Sequence, residues 1–136
     1  MLYRLFISSD IEGTCGIAHW DETELTKPDS APFRQQMTRE VSAACEGALC
    51  AGCEDILIKD AHDSARNLFP DQLPEQASIF RGWGSDIHSM MSGIDGSFTG
   101  AFFTRLSLLL QYGHQSPVPH HEYPEHLHHH QRHSDQ

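Results

Sequence analysis

Apolar residues fall into short blocks along the chain, and their spacing switches between continuous and helical before it dissolves. Residues 2–9, LYRLFISS, read as a strand entering a core. Asp10-Ile-Glu-Gly-Thr-Cys-Gly16 interrupts it and opens a polar loop that runs on through His19-Trp-Asp-Glu22. From Ser30 the period lengthens. Met37, Val41, Ala44, Cys45, Ala48 and Leu49 recur at helical spacing and define one apolar face. Ser30 is expected to cap this helix, Pro32 fits its first turn, and Gly52 is expected to stop it. Ile56-Leu-Ile58 reads as a buried parallel strand that runs into Lys59-Asp-Ala-His62, after which Asn67, Pro70 and Pro74 punctuate a loop. Ile79-Phe80 opens another short strand leading to Gly82-Trp-Gly84. Ser85 to Ser92 is expected to form a short helix, and Phe98 to Phe103 a further strand.

Strand alternating with helix predicts an α/β fold, a three-layer αβα arrangement around a mainly parallel sheet, here in truncated form. The 136 residues allow one domain at most. The character changes after Phe103. Residues 104–136 hold eight of the eleven histidines and no lysine, show no strand or helix period, and end in a low-complexity run, His126-Leu-His-His-His-Gln-Arg-His133. Two units are therefore expected, 1–103 and 104–136.

Charge and cysteine usage narrow the function classes. A formal net charge of −10 argues against a nucleic-acid partner, since phosphate binding needs clustered Lys and Arg. No stretch has the length of a membrane span, and the apolar run after Arg4 meets Asp10 too early for a signal-peptide core. A cytoplasmic protein is the expectation. Cys50-Ala-Gly-Cys53 has redox or zinc spacing, but it lies at a helix C-terminus, where the dipole disfavours a thiolate. Plain buried or half-buried thiols are expected for the cysteines.

The chemistry concentrates at two strand ends. A strand would aim Asp10 and Glu12 the same way, and like charges so placed need screening water, a proton or a cation. Parallel sheets gather ligands at the carboxyl ends of their strands, and there Asp60 and His62 would join Asp10 and Glu12 in one crevice. Two carboxylates and an imidazole suit zinc or a similar divalent ion, while solvated or capping carboxylates are the plainer reading of the same residues.

Four stretches carry a resemblance: SSDIEGTCGIAHWDET (8–23), MTREVSAACEGALCAG (37–52), IKDAHDSARNL (58–68) and RGW (81–83). In order and spacing, residues 5–103 resemble the N-terminal part of the D-aminopeptidase family of zinc peptidases, the dipeptide-transport type. The resemblance implies an α/β metallohydrolase with two zinc ions per site that releases N-terminal D-amino acids from short peptides. It also implies homo-oligomeric rings. By the same resemblance Asp10 bridges two metals, while Glu12 and His62 each ligate one. Asp60 is left between support for a ligand and a purely local loop role. His19 is read as a loop-ordering residue and His88 as a helix-surface histidine.

Beyond Phe103 the likeness stops. The family's GYH ligand motif, its SH element with the catalytic histidine and its later glutamate ligand do not occur in register, so no catalytic residue is assigned. Possible codons for residues 104–136, read one base later, are compatible with GYHS followed by NTDTNPLSHIMNTRNIY, which resembles the family text. A frameshifted tail is thus one expectation, and a diverged metal-sequestering tail the other. Either way, weak zinc binding and little or no peptidase activity are expected. Two other functions remain in view. SDIEGT is similar to the DxDGT loop of haloacid-dehalogenase phosphohydrolases, and the histidines would suit a non-catalytic metal-binding fragment.

Overall fold

A computed structural model describes residues 2–104 of the chain, and the expectations for the tail from residue 105 onward lie outside them. Strands β1 (Arg4–Ser9), β2 (Asp55–Asp60), β3 (Ala77–Phe80) and β4 (Gly100–Phe103) form one parallel sheet in the order β3-β2-β1-β4. Helix α1 (Ser30–Cys50) is the crossover from β1 to β2. The expected α/β fold with a parallel sheet is therefore present.

Register explains the core. Ile7 lies opposite Ile58 on one side and Phe102 on the other, and Ile58 lies opposite Ile79. Ile7, Ile56 and Ile58 pack with Met37, Val41 and Cys45 of α1, and all six are buried. Each such side chain contributes roughly 1.5–3 kcal/mol by leaving water. Among the described residues α1 is the only α-helix, and the other face of the sheet is covered by the segment between β3 and β4. There Phe98 meets Phe6 edge-on at 5.6 Å, and Ser8 donates its hydroxyl to the Met90 carbonyl. Gly93 turns at φ +94° so close to Leu57 and Phe80 that a Cβ would crowd both.

Several local expectations need correction. Asp29, not Ser30, is the residue before the helix, because the Ser30 hydroxyl is already engaged with the Lys27 carbonyl. Ser85–Ser92 is no helix. The Asp86 carboxylate accepts from the His88 N–H and the Ser92 hydroxyl, and this local bonding leaves only a 3-10 turn, Ser89–Met91. His88 therefore precedes a turn rather than lying on a helix. The last strand begins at Gly100, since Phe98 is turned onto Phe6. The cysteines divide: Cys45 and Cys53 are buried, Cys15 and Cys50 exposed, all four free. Burial, with the neighbouring Cys53 and Glu46, pushes the Cys45 thiol up to about 11. Among the described residues no helix is long and apolar enough to cross a membrane.

Candidate metal centre

Strands β1 and β2 end level with one another, Ser9 opposite Asp60, so the segments that leave them start side by side. Asp10 continues extended from β1. Ile11 then plugs into the core, and a single 3-10 turn, Ile11–Gly13, closed by the Thr14 N–H on the Ile11 carbonyl, folds Glu12 back. Strand alternation is thus not what brings the two acids together, because the strand stops at Ser9; a buried isoleucine between them is. From β2, Asp60 ends the strand and His62 follows it by two residues.

His62 Nδ1 lies 3.1 Å from Asp10 Oδ1 and 2.7 Å from Glu12 Oε2, and one donor atom from each residue falls within 4.8 Å of the others. The three side chains are 12%, 7% and 18% exposed for His62, Asp10 and Glu12, enough to be reached and little enough to be weakly screened. Burial opposes charge on the imidazole. Hydrogen bonds to Asp10 and Glu12, and their charges, outweigh it and lift the His62 pKa to about 10. The protonated ring thereby sits where two carboxylates call for a cation. Two hard carboxylate donors and one borderline imidazole, converging on one point, fit zinc or a similar divalent ion.

Asp60, which the sequence left undecided, does not belong to this convergent group. It is wholly buried and accepts from the Asn67 N–H at 2.6 Å, the Leu68 N–H at 2.8 Å and Asn67 Nδ2 at 3.0 Å. Asn67 Nδ2 also donates to the His62 carbonyl at 2.8 Å, so Asp60 holds the histidine's main chain through Asn67. Helix α1 fastens the far end of this loop. Arg34 donates to the Arg66 and Asn67 carbonyls, and the Thr38 hydroxyl accepts from the Phe69 N–H. Within the loop Asp63 and Ala65 adopt positive φ, 46° and 54°. Asn67 was legible only as loop punctuation.

A cleft of about 410 Å³ opens beside His62, lined by Thr23, Glu24, Leu25, Thr26, His62 and Asp63. Its Thr23–Thr26 wall follows a turn ordered by His19, whose ring accepts from the Asp21 N–H while Glu22 accepts from the Ala18 and His19 N–H groups. His19 itself is exposed and stands apart from the convergent group.

A family model described as D-aminopeptidase, Peptidase M55, matches residues 3–105. The chain is 30% identical over 102 residues to a D-aminopeptidase of Bacillus subtilis (strain 168), covering 74% of this chain and 36% of that protein. Among solved structures it superposes with a TM-score of 0.69, at 30% identity, on the Zn-dependent D-aminopeptidase DppA of Bacillus subtilis, described as a self-compartmentalizing protease. There too it covers 74% of this chain and 36% of the other, so the chain spans about a third of these relatives' length. The haloacid-dehalogenase reading finds no support in these matches. A parallel α/β sheet, an acid pair and histidine gathered at two adjacent strand ends, and a match over residues 3–105 agree: the chain belongs to the D-aminopeptidase family, Peptidase M55.

Proposed function

We propose that Asp10, Glu12 and His62 hold a divalent metal ion, zinc by chemical preference, and that the site serves release of N-terminal D-amino acids from short peptides. The convergence of the three donor groups within 4.8 Å carries this reading. A bound zinc ion supplies an acidified water and polarises a carbonyl. The chain's own part is to fix the donors. Ile11 anchors Asp10 and Glu12 from between, Asn67 holds the His62 carbonyl, and the adjoining cleft, with Glu24 and Asp63 in its wall, has room for a small peptide. Among the described residues three donors converge, enough for one ion, whereas the two-ion site implied by the resemblance needs more. On that donor set, weak zinc binding and slow peptide cleavage are expected. Association with further copies belongs to the same reading, because DppA is described as self-compartmentalizing.

Zinc titration of the full chain beside His62→Ala tests the metal. The His-rich tail is common to both, so the difference isolates the site. One lost zinc equivalent is expected, and identical isotherms refute the site. Incubation with D-alanyl peptides, against L-alanyl peptides and a chromogenic phosphate ester, tests the substrate class. Slow D-selective, zinc-dependent release is expected, and phosphate-ester turnover without peptide release overturns it. Rapid D-peptide cleavage by this chain refutes the expectation of slow turnover. Light scattering reads the assembly, and a monomeric mass at all concentrations refutes self-association.

A further inference from the structure

The Arg81-Gly82-Trp83 segment after β3 contributes none of the three candidate donors, yet it is bonded to the loop that presents His62. The Trp83 indole N–H donates to the Asp63 carbonyl, and the Gly82 N–H donates to the Ala65 carbonyl at 2.9 Å. Those acceptors belong to the two loop residues at positive φ. Each such non-glycine residue costs on the order of 1–3 kcal/mol, and it persists only where surrounding contacts over-determine it. Gly82 and Trp83 supply two of those contacts. What fixes Gly82 and Trp83 is Lys59. It is wholly buried in β2, on the sheet face away from α1. Its ammonium lies 4.5 Å from the ring centroids of both Phe80 and Trp83 and donates to the Gly82 carbonyl. A buried ammonium held by two ring faces and a carbonyl joins the parts it touches, since moving any of them strands a charge.

We propose that Lys59 and Trp83 are positioning residues for the metal site: Lys59 locks the Gly82–Trp83 segment, and that segment holds the Asp63–Ala65 turn that aims His62. The proposal rests on the reading of Asp10, Glu12 and His62 as metal donors. Trp83 carries two roles at once, its ring face toward the lysine and its N–H toward the loop.

The test uses the full chain and zinc in competition with a chromophoric chelator, each curve corrected by that of His62→Ala. Urea unfolding of each variant gives its folded fraction, so affinity is read per folded molecule. Trp83→Phe keeps a ring for the lysine and loses the N–H, and Lys59→Met keeps the stem and loses the charge. Each is expected to weaken His62-dependent zinc binding about tenfold, the lower end for partners that orient metal ligands. Because both act through one segment, the double variant is expected to lose about as much as either single variant, not their product. If Lys59→Met fails to fold, Trp83→Phe, changed at a half-exposed residue, still decides the question. Zinc affinity unchanged within about twofold in Trp83→Phe overturns the proposal, because orienting partners are worth more than that. A wild-type chain without His62-dependent zinc overturns the metal reading itself, and that comparison with His62→Ala is read before Lys59 or Trp83 is changed.

Discussion

Asp60→Ala removes a carboxylate that no solvent reaches and leaves three donors facing the space it filled: the Asn67 and Leu68 N–H groups and Asn67 Nδ2. Hydrogen bonds to a charged group are worth about 1.5–3 kcal/mol each, but three that share one acceptor are not additive. A net loss of about 3–5 kcal/mol is expected, the range for removing one partner from a buried charged network. Against a whole-domain stability of about 5–15 kcal/mol this is a large fraction. Urea unfolding followed by circular dichroism should show the midpoint falling by about 1.5–2.5 M at an m of about 2 kcal/mol/M, with m itself unchanged. Asp60→Asn sharpens the reasoning. An asparagine there can offer its oxygen to the two main-chain donors, but its NH2 then faces Asn67 Nδ2. Asn67 must turn its amide over, and the His62 carbonyl then faces an oxygen. The cost is expected to be smaller, about 1–3 kcal/mol, with zinc binding more affected than stability. A loss below about 1 kcal/mol in Asp60→Ala, less than one ordinary hydrogen bond, refutes the network as described.

Three further outcomes follow from the same packing and charges. In chelator, the His62 pKa of about 10 lies above its ordinary value of 6.5, so its stabilisation is full below about pH 6.5 and is lost as pH rises through about 10; the melting difference between wild type and His62→Ala should shrink over that window, and a constant difference refutes the ion pairing. Iodoacetamide at pH 8 should label Cys15 and Cys50 and spare Cys45, whose thiol is buried and raised to about 11, as peptide mass mapping would show. Met37→Ala, at a side chain only 1% exposed between α1 and the sheet, should cost about 2–5 kcal/mol by urea unfolding, and a loss under about 1 kcal/mol would place Met37 outside the core.

The elements that read clearly from the sequence are those whose apolar runs face a large surface. Helix α1 has Met37, Val41 and Cys45 on one side, and the strand around Ile56-Leu-Ile58 is almost continuously apolar. The gathering of Asp10, Glu12 and His62 was readable from the rule that parallel sheets collect chemistry at strand ends. The Ser9–Asp60 register supplies the detail behind that rule. The Ser85–Ser92 segment misread because Asp86 bonds locally, and a side chain that satisfies nearby main-chain groups competes with a helix without changing the apolar pattern. Lys59, Asn67 and Trp83 were not readable as parts of the site. Their partners are main-chain carbonyls, of Gly82, His62 and Asp63, and a carbonyl has no letter in a sequence.

The level ending of β1 and β2 has a meaning beyond placing side chains. Strands pair by main-chain groups that repeat every two residues, so a neighbour displaced by two positions would still form much of its ladder with the same faces buried. Here that displacement would carry the imidazole about 6.6 Å along the sheet, while coordination bonds tolerate only about 0.2 Å. Ion capture in this chain would then work as a proofreader, rewarding one alignment of the two strands over the near-miss beside it.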